Sequence, residues 1–412
     1  MSFRLSNFYL YLPILAVLFP QGTTSRDWIF EGIFFLFLLL SIIFSLILQR
    51  KAQGKIKKFE LNYVLIMFLL YFAVFNPVIS MLNYSSFTAI VITALPFTLL
   101  GFYYLFFLAR FNNLFIKNFI NFLVISGVIN SLFIFYVSIL NGYSDSEYRS
   151  TQIEGIRTLT LPIMPISATI VSIWALAENN KKLFYLYSFT SMLILSALML
   201  TQTRGMLLAF LAGLIFSIFY LTKKFFKGKK IRIFSRLIFV IFLGFLVLSP
   251  ILLRLLLRFD INDTSSLGTI LGRIDEYIIF FNGFLSSPIF GQGLGHIFQG
   301  YSAYDMTLYT KGITICHGHP FFFLGTTGIV GFSLYYLLIA QAFFSLSSKK
   351  LFIAVNERYQ IIIISLNCGL IAGFIFTLSS TTFNSMSYNL FLAFYIFCAA
   401  YFKQESNKMK LS

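Results

Sequence analysis

All three histidines of the sequence lie in one polar interval, residues 254–331, of an otherwise apolar chain. His296 comes first, and His317 and His319 follow with one residue between them. An imidazole titrates near neutral pH, so each can act as a general base or bind a metal. A metal site is disfavoured, because no nearby carboxylate cluster supplies a third ligand. We therefore predict no metal, and we consider two roles for each histidine, a hydrogen-bonded interfacial side chain or a base that takes a proton from a hydroxyl.

Four arginines stand near the ends of apolar runs in the same half of the chain: Arg204, Arg254, Arg258 and Arg273. A guanidinium presents a planar fork of N–H donors that fits a phosphate. The structural alternatives are a snorkelling anchor for Arg204 and an exposed ion pair with Glu276 for Arg273. Arginines and an imidazole at one membrane level suit a lipid diphosphate donor and a hydroxyl acceptor, because the arginines would stabilise the leaving charge.

The elements that position these groups are predicted to be membrane helices. The 412 residues are 58% hydrophobic and 11% charged, which is too apolar for the surface of a soluble protein. Apolar runs of about 17–22 residues match the thickness of a bilayer core. We predict an all-α polytopic membrane protein with about twelve spans. The predicted spans are roughly 7–20, 32–48, 61–75, 88–109, 119–140, 158–177, 183–200, 205–221, 237–253, 320–346, 359–378 and 387–402.

Charge predicts the orientation of these spans. Alternating the connections places 23 of the 31 lysines and arginines on one side, and basic segments stay in the cytoplasm. Both termini are then cytoplasmic; the family resemblance described below implies that the membrane is a bacterial inner membrane. The prediction divides the chain into residues 1–253 with about nine spans, an extracytoplasmic loop 254–319, and residues 320–412 with about three spans. The net charge of +17 needs no nucleic acid, because orientation and contact with anionic membrane lipids account for it.

Within the long loop the sequence predicts an amphipathic helix. Ser265 and Ser266 would cap it at a start near Leu267, and Pro288 with the following glycines would end it. Its apolar stripe would rest on the membrane surface, with Arg273 at the polar border. The stripe consists of Ile270, Leu271, Ile274, Ile278 and Phe281.

Two glycine patterns and the cysteines receive structural interpretations. GQGLG lacks the strand and helix of a nucleotide-binding loop, so that function is rejected. Gly328-x-x-Gly331 lies in an apolar span and predicts close helix packing. The three cysteines, Cys316, Cys368 and Cys398, lack metal-ligand or disulfide spacing. The sequence offers no cytoplasmic nucleotide-binding domain and no cofactor site, so the energy of any reaction must arrive with an activated lipid-linked substrate.

Three segments give the sequence a family resemblance: LTQTRGMLLAF, SLGTILGRIDEYIIFFNGFLSSPIFGQGLG and HGHPFFFLGTTGIVG. Together they resemble the O-antigen ligase/polymerase family of bacterial surface-polysaccharide enzymes. The resemblance implies a C-type, metal-independent glycosyltransferase that takes a glycan from undecaprenyl diphosphate at the periplasmic face. The family's arginine after Ser or Thr falls on Thr203 and Arg204, and a second arginine falls on Arg273. Its histidine before a Gly-x-x-Gly falls on His317.

The resemblance thus implies His317, Arg273 and Arg204 as catalytic residues. We also expect substrate binding by Thr203, Arg254, Arg258 and His319, which all fall on the predicted outer side. One position departs from the family pattern, because Gly318 stands where Asn, Ser or Gln is usual. We expect His319 to replace that residue in orienting His317. Since Pro320 marks a helix start, we also expect His319 to cap the helix.

Three functions remain open from the sequence. Ligation to a lipid A-core acceptor is preferred, and polymerisation onto a second lipid-linked repeat is the alternative. A flippase or transporter for lipid-linked oligosaccharide belongs to a different class. Transporters usually place ionisable groups near the bilayer midplane, whereas these spans keep theirs at the edge.

Overall fold

The computed structural model describes residues 62–108, 113–140, 163–200, 204–220, 236, 264–300, 312–378 and 385–409. These stretches contain thirteen α-helices and no sheet, and one isolated bridge pairs Phe298 with Ile313. The helices are α1 Tyr63–Leu70, α2 Asn76–Leu82, α3 Phe87–Thr98, α4 Phe102–Leu108, α5 Asn113–Leu140, α6 Ile163–Ala177, α7 Lys181–Leu200, α8 Arg204–Tyr220, α9 Thr264–Ser286, α10 His319–Leu346, α11 Lys349–Ala354, α12 Glu357–Leu378 and α13 Met386–Met409. For the described residues, the predicted all-α class is confirmed.

Six helical stretches among the described residues are long and apolar enough to cross a membrane. They are Tyr63–Leu82, Phe87–Tyr104, Ile116–Tyr136, Lys181–Leu200, His319–Ala354 and Glu357–Leu378. α6 and α8 are apolar but shorter than the roughly 20 residues that a hydrocarbon core requires. The predicted spans near 7–20, 32–48 and 237–253 lie outside the described residues. The chain is a multi-pass membrane protein, and its total of twelve spans stays a prediction.

α6 lies at the centre of the described helices. All its side chains except that of Trp174 are buried, and it packs against α5, α7, α8 and α12. Small residues allow the close approach: a Cβ on Gly213 of α8 would lie 2.9 Å from Oγ1 of Thr169, and one on Gly127 of α5 would lie 2.7 Å from Cβ of Ser167. Packing of this kind is usual between membrane helices, where lipid tails remove the hydrophobic drive to associate.

Aromatic side chains connect α10 to the helices that precede it. Phe323 and Tyr335 of α10 stack with ring centroids 4.3 Å apart, and Phe97 of α3 lies 5.4 Å from Phe323. Phe68 and Phe72 stack at 4.2 Å, and Phe72 lies 5.1 Å from Phe97. Each such pair contributes about 0.5–1.5 kcal/mol beyond its buried area, so the cluster helps to fix α10 against α1 and α3.

The span predicted to end at residue 75 is longer than expected. A π-helical turn, Tyr71–Phe75, joins α1 to α2, so the helical stretch ends at Leu82. Pro77 stands at the start of α2, where its missing N–H is best tolerated, and the wider π turn precedes it. The proline therefore does not end this helical stretch.

α9 is the helix predicted in the long loop, with one correction at its start. It begins at Thr264 and not near Leu267, so Ser265 and Ser266 lie inside its first turn and do not cap it. Asp263, just upstream in the sequence, belongs to the residue class that caps helices best, which favours the earlier start. The predicted end is confirmed, because the helix stops at Ser286 before Pro288.

α9 has an exposed apolar face and a buried face. Ile274, Ile278 and Phe281 are 43%, 49% and 42% exposed, whereas Ile279 and Phe280 are buried against the rest of the protein. The exposed residues recur at helical spacing, as a face that contacts lipid would. The described part of the predicted stripe is therefore accessible, and its contact with the membrane surface stays a prediction.

α10 is broken at Gly328, where φ is 60° and ψ is −167°. The loop after α9 fits into this break. The backbone N–H of Gln292 donates to the carbonyl oxygen of Gly325, and that of Ile329 donates to the carbonyl oxygen of Pro288, both at 2.9 Å. The loop thus bonds one carbonyl group and one N–H group of α10 that the break leaves without a partner in the helix.

Two polar side chains of the first helical stretch also bond backbone carbonyl groups at the break in α10. The hydroxyl of Tyr71 donates to the carbonyl oxygen of Thr327 at 2.7 Å. Asn76 donates from Nδ2 to the carbonyl oxygen of Thr326 at 3.1 Å, while its Oδ1 accepts from the N–H of Leu294 at 2.7 Å. Backbone polar groups at membrane depth must be bonded within the protein, so these side chains make the break tolerable.

The packing expected at the two glycines of α10 is only partly helix on helix. A Cβ on Gly331 would lie 2.7 Å from the Tyr71 ring, so this glycine does admit a neighbouring helical stretch. A Cβ on Gly328 would lie 2.4 Å from the carbonyl oxygen of Ile289, which belongs to the loop. The C-terminal part of the predicted outer loop is therefore packed into the helices and is not a separate unit.

Candidate active site

Two adjacent residues of α9 hold His317 in the turn before α10. Its Nδ1 lies 2.8 Å from Oε2 and 3.0 Å from Oε1 of Glu276, and its backbone N–H donates to the same Oε2 at 2.8 Å. The hydroxyl of Tyr277 donates to the His317 carbonyl oxygen at 2.8 Å. The histidine side chain is 41% exposed and the glutamate 17%. An accessible imidazole beside a carboxylate is suited to accepting a proton.

Tyr277 also shapes the turn sterically. Its ring stacks on Phe321 of α10 with centroids 4.6 Å apart and planes 11° from parallel. A Cβ on Gly318 would lie only 2.9 Å from Cε1 of Tyr277. An Asn, Ser or Gln at this position would therefore displace the tyrosine, which explains the glycine. Burial raises the pKa of the Tyr277 phenol, and the nearby charge of Arg273 opposes that rise.

Arg273 lies one turn before Glu276 on α9, and its side chain is partly exposed. The ion pair with Glu276 considered above is absent from the described residues, since the glutamate pairs with His317. Arg273 also lies one turn before Tyr277, whose hydroxyl holds the His317 carbonyl oxygen. The structure thus brings a predicted arginine and a predicted histidine to the middle of α9.

His319 is only two residues from His317 but lies in a different environment. It is the first residue of α10 and is fully buried, with its Nδ1 hydrogen-bonded to the hydroxyl of Tyr336. Its ring lies 4.8 Å from that of Phe374. Two expectations for His319 are wrong: Gly318 occupies the cap position, and the group that orients the His317 imidazole is a carboxylate. Among the described residues, no three His, Cys, Asp or Glu side chains form a group that could hold a metal.

The other titratable groups near the two histidines are sheltered. Cys316 is fully buried, and burial raises the pKa of its thiol well above the usual range. His296 is partly buried with its ring edge-on to Phe298 at 4.9 Å, and burial lowers its pKa. His296 thus has an aromatic packing role, and a reactive thiolate at Cys316 is disfavoured.

The start of α8 lies toward the same end of the helices as His317. α10 begins beside the site, and Tyr220 at the far end of α8 reaches the carbonyl oxygen of Ser347, just past the far end of α10, at 3.5 Å. One turn earlier on both helices, the rings of Phe216 and Phe343 lie 6.3 Å apart, so α8 runs in the same direction as α10 and its first residue, Arg204, lies toward the start of α10. The Arg204 side chain and residues Thr203, Arg254 and Arg258 lie outside the described part of the chain.

Glu276 is the site residue that the sequence analysis missed. It was considered only as a partner for Arg273, although it shares a helix face with that arginine. Its true partner stands 41 positions away, so helical spacing could not identify it. The available signal was chemical, because it is a carboxylate on the same predicted helix as a candidate phosphate-binding arginine.

Comparison with protein-family models matches residues 189–336 to a family described as O-antigen ligase. The matched segment includes Arg204, Arg273, Glu276 and His317, and it covers less than half of the chain. A search of curated proteins finds no match. The resemblance inferred from the sequence motifs is confirmed over this segment, and with it the general class of glycosyl-transferring membrane enzymes.

Proposed function

Because the chain carries an O-antigen ligase family domain over residues 189–336, we propose that it transfers an oligosaccharide or polysaccharide from undecaprenyl diphosphate to an acceptor sugar. The transfer takes place at the periplasmic face of the inner membrane. The acceptor is lipid A-core, so the reaction is O-antigen ligation in lipopolysaccharide biosynthesis. One observation carries the proposal: an accessible imidazole, His317, is held by Glu276 one turn from Arg273, inside the matched segment.

In the proposed reaction His317 acts as general base. It takes the proton from the acceptor hydroxyl as that oxygen attacks the anomeric carbon of the donor glycan. The bond from the anomeric carbon to the diphosphate oxygen breaks, and the electron pair leaves with the lipid diphosphate. Arg273 and Arg204 hold the diphosphate and stabilise its developing charge, for which their forked donors are suited.

The proposed donor site extends along the outer edge of the helices. Thr203, Arg254 and Arg258 bind the donor beside Arg204 and Arg273, because these groups fall on the same predicted side of the membrane. His319 has no part in this site, since burial against Tyr336 leaves it no face for a substrate. The energy for transfer comes from cleavage of the donor's glycosyl diphosphate bond.

The proposed arrangement in the membrane follows the charge distribution. Both termini and the strongly basic connections lie in the cytoplasm, and residues 254–319 lie in the periplasm between an N-terminal bundle, 1–253, and the C-terminal helices, 320–412. The exposed apolar residues of α9 contact membrane lipid at the outer interface. A lipid-linked donor and a glycolipid acceptor would both meet His317 at this level.

Surface glycans of a deletion strain test the function. We expect lipid A-core without attached polymer, together with long polymer still linked to its lipid carrier. The wild-type gene should restore ligation, and so should His296→Asn, a change to a histidine outside the site. His317→Ala should not restore it. Single repeats attached to the core would show a polymerase, and donor trapped in the cytoplasmic leaflet would show a transporter.

A further inference from the structure

We propose that Glu276 is a positioning residue for glycosyl transfer, which fixes the imidazole of His317 so that Nε2 is the atom that accepts the proton. This inference rests on the proposed function and deepens it. Neither the family match nor the sequence motifs assign a role to Glu276. The role proposed for Glu276 rests on three hydrogen-bond contacts between its carboxylate and His317.

The bonding defines the tautomer of His317. A carboxylate offers only acceptors, and both Glu276 oxygens lie within 3.0 Å of Nδ1. Nδ1 must therefore carry a hydrogen and donate it. In a neutral imidazole the other nitrogen, Nε2, then carries the lone pair. The carboxylate thereby excludes the tautomer with the hydrogen on Nε2, in which Nε2 could donate but could not accept a proton.

The same carboxylate fixes the orientation of the ring. Oε2 accepts from the backbone N–H of His317 as well as from its side chain, each at 2.8 Å. The hydroxyl of Tyr277 secures the carbonyl oxygen of the same residue. Because Nδ1 is bonded to Glu276, Nε2, on the other side of the ring, is the nitrogen left to accept a proton, and the His317 side chain is 41% exposed. The proton-accepting atom is thus directed away from α9.

The charge of Glu276 matters when the proton moves. As Nε2 takes the proton from the acceptor hydroxyl, the ring becomes an imidazolium that donates from Nδ1 to the carboxylate. A negative charge at this distance stabilises the positive ring, while Glu276 itself takes no proton. Arg273, one turn away, would oppose a second positive charge, so the carboxylate offsets that repulsion.

The experiment compares four full-length variants in nanodiscs. The donor is undecaprenyl diphosphate-linked glycan extracted from the deletion strain, and the acceptor is lipid A-core from the same cells. Glu276→Gln keeps the size and acceptor of the side chain but removes its charge. General-base catalysis is worth about 10²–10⁴, and we expect this variant to lose about 10- to 100-fold in kcat with little change in acceptor KM. Glu276→Asp, which keeps the charge, should regain most of that loss.

Glu357→Gln is the matched control, because it removes an exposed carboxylate at the start of α12 and should keep wild-type kcat. The inference is overturned if Glu276→Gln keeps wild-type kcat while His317→Ala is inactive. It is also overturned if Glu276→Asp is no better than Glu276→Gln. Should Glu276→Gln fail to accumulate in membranes, Glu276→Asp decides alone: activity well above His317→Ala supports the inference, and equal activity overturns it. An active His317→Ala would instead remove the proposed function.

Discussion

The position of Arg273, as well as its charge, favours a role in binding a diphosphate. It stands on α9 one turn before the two residues that hold His317, and it is not paired with Glu276. Its charge is therefore not neutralised by the nearest carboxylate on its own face. A diphosphate would supply the missing anionic partner, and it would accept two parallel bonds from the guanidinium fork.

Arg273→Lys separates the fork from the charge. Lysine keeps one positive charge but cannot bind bidentately, so we expect glycan transfer to fall at least about tenfold. Arg358→Lys, at an exposed position of α12, makes the same exchange away from the site and should leave transfer unchanged. Surface-glycan analysis and membrane levels should be measured together. Normal transfer by Arg273→Lys would reduce the arginine to a general electrostatic role.

Cys316 precedes His317 but should be chemically silent. It is fully buried, and burial, with the charge of Glu276, raises the pKa of its thiol. Only a thiolate reacts with maleimides, so raising the pH from 7 to 8.5 should produce no labelling of the native protein. Labelling should follow after denaturation in detergent. Rapid labelling of native protein, lost in Cys316→Ser, would contradict the packing of this turn.

Residue-scale prediction from the sequence succeeded where a side chain can be recognised by its type. His317 and Arg273 were selected as rare polar groups in an apolar chain, and the structure brings both to the middle of α9. The orienting residue of His317 was assigned wrongly, to His319. At a helix start, residues close in sequence can lie in different environments, as His317 and His319 do. Only the packing of α9 on α10 reveals that Glu276 is the partner of His317.

At the scale of elements, hydropathy predicted most of the described helices well. The spans expected at 183–200 and 359–378 correspond to Lys181–Leu200 and Glu357–Leu378. Hydropathy could not predict the break in α10, because both halves are apolar and the break depends on hydrogen bonds from a distant loop. The glycines of GQGLG were correctly taken to follow the end of α9, but their contact with Gly328 requires the folded backbone.

Gly328→Ala tests that break. A Cβ there would lie 2.4 Å from the carbonyl oxygen of Ile289, and the backbone conformation, with φ 60° and ψ −167°, costs a non-glycine residue about 1–3 kcal/mol. We expect a lower thermal midpoint in detergent and weakened transfer. Gly272→Ala is the matched control: no atom lies within 4 Å of its added Cβ, and alanine stabilises a helix interior by about 0.5–1 kcal/mol. An unchanged thermal midpoint for Gly328→Ala would contradict the close packing of the loop after α9 against the break in α10.

For the whole molecule, orientation in the membrane determines whether the site can meet its substrates. A lipid-linked glycan built for the cell surface and a periplasmic acceptor require α9 and His317 on the outer side. Charge alone supports that orientation, since 23 of the 31 basic residues fall on the opposite side. The fold adds a way to test it, because all three native cysteines are buried.

Because the buried native cysteines should not react, an introduced cysteine reports the orientation of the protein in the membrane. Gln299 is exposed in the loop after α9, and Lys350 is exposed on α11, beyond the far end of α10. In cells with a permeabilised outer membrane, Gln299→Cys should react with a membrane-impermeant maleimide. Lys350→Cys should react only after the inner membrane is lysed. Because the helical stretch that contains α10 is long and apolar enough to cross a membrane, the two positions serve as controls for each other. The reverse labelling pattern would place His317 in the cytoplasm, where no periplasmic acceptor could reach it.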